Sequence, residues 1–232
     1  MSYWSVGIAD VSQHLQSRYV FGVTSITKDH SYIRTHDAPI YWEISPHYLP
    51  QPTDASCSLA SVTMVINALR SHQSQYANQK LATTNSVLHS INKTWANNVK
   101  QGGDGVSLDQ FSYMLKEAMK AYNLPPTRLE VIHATRAKDI AIKFHQALLK
   151  GEKTGRTFVI VNFDQKFISG TLSVGHFAPV GAYDVSTKRV LIMDPDRELF
   201  EPYWVPESLL LKSMETRDFD ERKNRGFIIV NF

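Results

Sequence analysis

Around residue 150 the hydrophobic period of the chain changes, and that change restricts the fold more than any other feature. Before it, apolar residues recur at helical spacing; after it come short runs rich in Val, Ile and Phe, parted by Gly, Ser and Asp turns. Leu59, Ala60, Val62, Thr63, Val65, Ile66 and Leu69 follow directly on the Pro52-Thr53-Asp54 turn signal and predict a buried helix opened by Cys57. The spacing predicts further helices over 86–98, 107–122 and 137–149, the second capped by Ser107 and stopped by Pro125-Pro126. Strands are expected over 157–163, 176–183, 189–193 and 226–232. The first fifty residues carry β-favouring stretches such as 19–26 without a period and read as an irregular arm. The expectation is an α+β fold in one domain over 1–232, with the arm and a helical lobe to about 150 and an antiparallel β lobe over about 151–232.

Composition narrows the chemistry. With 43% hydrophobic and 20% charged residues the chain has the makings of a packed core. A formal charge of +3, from 25 basic and 22 acidic residues, includes no basic tract of the kind that tracks phosphates, so nucleic acid is not an expected partner. The start, through Leu15, lacks the basic segment and apolar run of a secretory signal. The longest apolar stretch, 59–69, is short for a bilayer and contains Ser61, Thr63 and Asn67, so no membrane partner is expected. One cysteine among 232 residues rules out an internal disulfide and a thiolate-rich metal site.

That one thiol has a chemical reading. A helix N-terminus offers free N–H groups and the positive end of the dipole, which favour a thiolate and a neighbouring oxyanion. A lone cysteine opening an apolar helix is more often a small buried hydrophobe, so Cys57 needs partners. Folding the predicted hairpin about residue 186 brings Asp194 across from the His176 end of the first strand, although a one-residue slip would part them. Asp194 would then hold the imidazole tautomer while the other ring nitrogen takes the thiol proton. Gln51 lies six residues before Cys57, the spacing at which papain-like enzymes aim a glutamine amide at the developing oxyanion, beside the backbone N–H of the cysteine.

Other sites fare worse. The nine histidines include no His-Glu-x-x-His, and His72, His89, His133 and His145 share no ligand spacing, so no metal site is expected. Gly102-Gly103-Asp104-Gly105 lacks the lysine of a phosphate loop and reads as a turn bordering the cleft. The charged stretch 215–225 reads by default as a solvated loop.

Several segments resemble the phytochelatin synthase family, the glutathione-using branch of the papain-like cysteine peptidases. They are Gln51 with Cys57-Ser58-Leu59-Ala60-Ser61, Asn67-Ala68-Leu69, Gly105-Val106-Ser107-Leu108-Asp109-Gln110-Phe111, Gly175-His176-Phe177-Ala178-Pro179-Val180-Gly181, Asp194 with Arg197, Pro202 with Trp204-Val205, Met214 with Thr216 and Asp218, and Arg225-Gly226-Phe227. The resemblance implies a papain-like fold and a Cys57–His176–Asp194 triad. It implies cleavage of the Cys–Gly bond of glutathione through a γ-glutamylcysteinyl thioester, passed mainly to water or to a second glutathione. It further implies that Asp218 and Arg225 grip the α-amino and α-carboxylate groups of the γ-glutamyl end, with Gly175 beside them. The partner would be glutathione or another γ-glutamyl thiol peptide; a homodimer stays open. No cofactor is expected, and with Cys57 the only thiol a metal ion would enter as a glutathione complex, as substrate or activator. Where the family usually has glycine after the nucleophile, this chain has Ser58.

Two rivals stay open. A leader-cleaving cysteine peptidase shares the glutamine, the helix-opening cysteine and the Asp-Pro, but not Trp204 or the Asp218/Arg225 pair. A catalytically silent module would hold a thiol peptide in the same cleft without forming a covalent intermediate.

Overall fold

A computed structural model of the chain describes residues 18–73, 78–91, 93–124, 128–171, 173–218 and 222–232. The stretch examined for a secretory signal and the Pro125-Pro126 stop lie outside these residues. The elements run β1 (Thr24–Ser25), α1 (Ser31–Thr35), α2 (Pro39–Ile44), a 3-10 turn (Ser45–His47), α3 (Cys57–Ser71), α4 (Thr84–Ser90) and α5 (Leu108–Ala121). They continue with β2 (Arg128–His133), α6 (Lys138–Thr154), β3 (Thr157–Asp164), α7 (Lys166–Ser169), β4 (Gly175–Asp184), β5 (Arg189–Ile192), β6 (Tyr203–Pro206), α8 (Glu207–Met214) and β7 (Gly226–Asn231). The fold is α+β. Its sheet orders seven strands β1-β6-β5-β4-β3-β7-β2, every neighbouring pair antiparallel. Among the described residues no helix is long and apolar enough to cross a membrane.

Both faces of the sheet are apolar, which is why its strands read as continuous hydrophobic runs. On β3, Phe158 and Ile160 face one core with α3, α5, Phe177 and Ile228. Val159, Val161 and Phe163 face the other, with Phe144 and Leu148 of α6 and Leu210 of α8. Helix α3 is the centre of the first core: every residue from Cys57 to Arg70 is buried, and its polar Ser61, Thr63, Asn67 and Arg70 donate to backbone carbonyls. The Ser107 cap is present as a capping box with Gln110, each side chain bonding the other's backbone N–H.

The structure differs from the sequence expectation in several places: helices α7 and α8 and strand β6 lie in the last third, where only four strands were expected. The helix expected over 86–98 is the shorter α4. It starts on a Thr83–Ser86 capping box and stops at Ser90, and Lys93 beyond it has φ 55°, a left-handed turn that no helix continues through. The helix expected to end at 149 runs on to Thr154 and closes on Gly155 at φ 63°. The arm holds α1 and α2. The sheet is also not confined to the last third, because β2 pairs along its whole length with β7 and β1 pairs with β6.

Candidate active site

Cys57 stands at the first position of α3. Ser56 before it does not cap the helix: its hydroxyl accepts from Thr53 N–H at 2.8 Å and donates to Thr53 O at 2.9 Å. The amides of the first turn are therefore left without a side-chain acceptor. One turn on, and so on the same helix face, Ser61 Oγ donates to the carbonyl of Phe177 at 3.2 Å, docking α3 against β4 next to His176. Phe111 of α5 stacks on Phe177 at 4.5 Å and holds that junction from above.

The β4–β5 hairpin decides whether His176 meets Asp194. Near the turn Asp184 pairs with Arg189 and Ala182 with Leu191, but beyond Gly181 the register shifts and Val180 pairs with Ile192. Without that bulge Asp194 would lie one residue out of step, on the wrong face. With it, His176 Nε2 lies 2.7 Å from Asp194 Oδ1. Gly181 suits the bulge because a Cβ there would come within 2.8 Å of Met193 Cγ and Sδ.

Asp194 is fully buried, with relative exposure of 0%. Besides His176 it accepts from Tyr203 Oη at 2.9 Å on Oδ2 and from Asp196 N–H at 2.9 Å on Oδ1. Tyr48 Oη donates to its carbonyl, and Gln51 N–H donates to Pro195 O at 2.8 Å, so the loop before α3 is tied to the loop that bears the carboxylate. Since Nε2 is taken, Nδ1 of His176 is left for Cys57, whose sulfur lies close enough to act on the ring. Phe163 meets the imidazole edge-on at 5.5 Å. Burial opposes the imidazolium, but the Asp194 carboxylate and the Cys57 sulfur together outweigh it and hold the His176 pKa well above its ordinary value. Burial and the Asp194 charge push the Tyr203 hydroxyl well above its ordinary range, so it stays a donor.

A cleft of about 680 Å³ opens over Cys57 and His176, within the usual span of about 300–1,000 Å³ for small-molecule sites. Gln51 reaches it: Nε2 makes only a long 3.4 Å bond to Asp54 O, and the buried Oε1 has no partner. Gly175, Asp218 and Arg225 line the same cleft. A Cβ on Gly175 would sit 2.9 Å from Arg225 Nη2, so the guanidinium lies directly over that backbone. Arg225 is 9% exposed; its Nη1 donates to Arg217 O at 2.6 Å and Thr216 Oγ1 at 3.2 Å, while Nε is buried and unpartnered. All seven residues singled out from the sequence thus come to one cleft or its immediate wall.

Two further polar residues line it that sequence reasoning passed over. Asn162 and Gln165 are each 2% exposed, and Asn162 Oδ1 and Gln165 Nε2 lack partners. The one signal available was Asn162 itself, an amide interrupting an apolar strand run. Among the described residues no group of three or more His, Cys, Asp or Glu could hold a metal ion. Chemically, a thiol at an uncapped helix start, facing an imidazole held by a buried carboxylate, is an arrangement for acyl transfer by a thiolate.

The phytochelatin synthase family model matches residues 29–227. The chain is 22% identical over 198 residues to glutathione gamma-glutamylcysteinyltransferase 1 of Lotus japonicus, covering 82% of this chain and 36% of that protein. It is 23% identical over 198 residues to the glutathione gamma-glutamylcysteinyltransferase of Schizosaccharomyces pombe, covering 82% of this chain and 43% of that one. A shorter match, 28% over 88 residues, joins 38% of this chain to 19% of glutathione gamma-glutamylcysteinyltransferase 2 of Arabidopsis thaliana. The chain thus spans well under half the length of these relatives. From the match over 29–227 and the cleft it encloses, the chain belongs to the phytochelatin synthase family.

Proposed function

We propose that this chain is a papain-like acyl-transfer enzyme that removes glycine from glutathione and passes the γ-glutamylcysteinyl group mainly to water, or to a second glutathione. The observation that carries the reading is the contact of Cys57 with an imidazole whose far nitrogen is 2.7 Å from a buried carboxylate. The Cys57 thiolate attacks the carbonyl carbon of the Cys–Gly bond. The oxyanion accepts from the Cys57 N–H and from Gln51 Nε2, once that amide turns from its long bond to Asp54 O. The C–N bond breaks as His176 gives its proton to the glycine nitrogen, leaving a thioester on Cys57. Water or a glutathione amine then attacks the thioester, His176 takes the proton, and the thiolate leaves. Asp218 and Arg225 receive the zwitterionic end of the γ-glutamyl group, the carboxylate for the ammonium and the guanidinium for the α-carboxylate. Gly175 leaves room for that guanidinium.

The test is intact-protein mass spectrometry after brief mixing with glutathione, with wild type and Cys57→Ala side by side and released glycine assayed. A γ-glutamylcysteinyl mass on wild type alone, with glycine released, is the expected result. No adduct and no glycine, from protein whose thiol still reacts with iodoacetamide, would reject glutathione as donor.

A further inference from the structure

The described stretches 216–218 and 222–225, which carry Asp218 and Arg225, pair as the two arms of a narrow hairpin with little sheet of their own. One bridge pairs Arg217 with Asn224; Asp218 N–H donates to Lys223 O at 2.7 Å and Arg225 N–H to Thr216 O at 2.9 Å. Its hold on the body comes at the end of β2. Ala134 N–H donates to Arg225 O at 2.8 Å, Asn224 Nδ2 donates to Ala134 O at 2.7 Å, and His133 Nδ1 lies 2.6 Å from Asn224 O. On the far side of the ring His133 Nε2 lies 3.1 Å from Asp109 Oδ1, and Lys223 Nζ bonds Asp109 Oδ2.

Both neighbours of that ring, a carbonyl and a carboxylate, are acceptors only. A neutral imidazole carries one N–H, so the two bonds form together only when His133 is protonated. Asp109 sits in the first turn of α5, immediately after the 103–106 loop that lines the cleft opposite. One carboxylate therefore links the two walls.

We propose that Asp109, His133 and Lys223 are positioning residues for donor binding: they hold the hairpin arms 216–218 and 222–225, and with them Asp218 and Arg225, at the distance from Cys57 that the substrate head group needs, and do so fully only while His133 is protonated. This rests on the glutathione reading above. The charged groups facing His133 are Asp109 from α5 and, through it, Lys223 from the hairpin. Partial burial opposes the Asp109 charge, but the bonds from Lys223 and His133 prevail and hold its pKa below the usual value, so the carboxylate accepts from both. With a neutral ring one of the two bonds is lost, the hairpin loosens and KM for the donor climbs.

The experiment is the initial rate of glycine release against glutathione concentration and pH, for wild type, Asp109→Ala, His133→Arg and Lys223→Met. Losing charge-assisted bonds at a half-exposed site should raise the KM of Asp109→Ala about tenfold with kcat within about twofold of wild type. Lys223→Met, altering an exposed side chain, should raise KM by about threefold and serves if Asp109→Ala fails to fold. An arginine at 133 keeps donors toward both acceptors at every pH, so His133→Arg should retain tight binding and lose the alkaline rise in KM. Amide exchange in 222–226 should quicken in Asp109→Ala while alkylation of Cys57 is unchanged. The proposal is overturned by KM values for Asp109→Ala and Lys223→Met that match wild type, or by the same alkaline rise in His133→Arg. A wild type that releases no glycine sinks the functional reading instead, and the exchange measurement still decides whether the trio holds the hairpin.

Discussion

Replacing Tyr203 by phenylalanine isolates a single hydrogen bond at the heart of the site. The ring packs against Tyr19 and Phe200 at 5.5 and 5.8 Å, contacts that phenylalanine retains. What is lost is the 2.9 Å bond from the hydroxyl to Asp194 Oδ2, in a place where both residues are 0% exposed and water does not stand in. Asp194 Oδ1 keeps His176 and Asp196 N–H, so the remaining deficit falls on Oδ2 alone. A hydrogen bond to a buried charge is worth about 1.5–3 kcal/mol. At about 2–4 °C per kcal/mol for a chain of this size, Tm should fall by roughly 3–12 °C. A carboxylate no longer pinned on one oxygen also steadies the His176 imidazolium less, and a transfer of about 1.4 kcal/mol to the barrier slows acylation about tenfold. Calorimetry together with single-turnover glycine release reads both effects. A melting point within about 1 °C of wild type and an acylation rate within about twofold would refute the view that Tyr203 holds the carboxylate in place.

Two more perturbations probe the same geometry. Gly181→Ala places a Cβ within 2.8 Å of Met193, next to Asp194, and should cost about 1–3 kcal/mol while slowing iodoacetamide alkylation of Cys57; unchanged alkylation would mean the bulge does not govern the triad. His176 binds its proton more tightly folded than unfolded, so its contribution to stability is full below the unfolded value near 6.5 and is lost as pH rises through the raised folded value. Urea unfolding of wild type and His176→Gln across that window should show wild type losing stability faster as pH rises, and parallel curves would contradict it.

The sequence disclosed those parts of the molecule in which one local rule dominates. Helix α3 is dominated by apolar residues, α5 carries both its cap and its face, and β3, β5 and β7 are Val- and Ile-rich. The His176–Asp194 pair was legible because hairpin arithmetic placed Asp194 near His176, although the bulge that makes that register hold depends on how Met193 packs against Gly181 and is not a local property. Strand β2 was missed because Arg128 and Glu130 look solvated and its pairing partner lies about a hundred residues away. The expected helix over 86–98 ran too far because Ile91, Trp95 and Val99 continue a four-residue spacing through a turn. Asn162 and Gln165 carry no motif, and only their burial at a cleft wall distinguishes them from structural amides.

The placement of β7 bears on how the molecule comes into being. It lies between β3 and β2, so the described strand furthest along the chain fills an interior slot next to the edge strand β2 rather than extending an edge. Until it arrives, β3 and β2 each present an open edge, and pairing at such sequence separation is slow to form. Arg225 immediately precedes that strand, and its neighbour Gly226 pairs with both Asn162 and His133. Closing the sheet therefore also fixes where Arg225 stands at the wall of the cleft: the strand that joins β3 to β2 and the guanidinium over Gly175 are set by the same pairing.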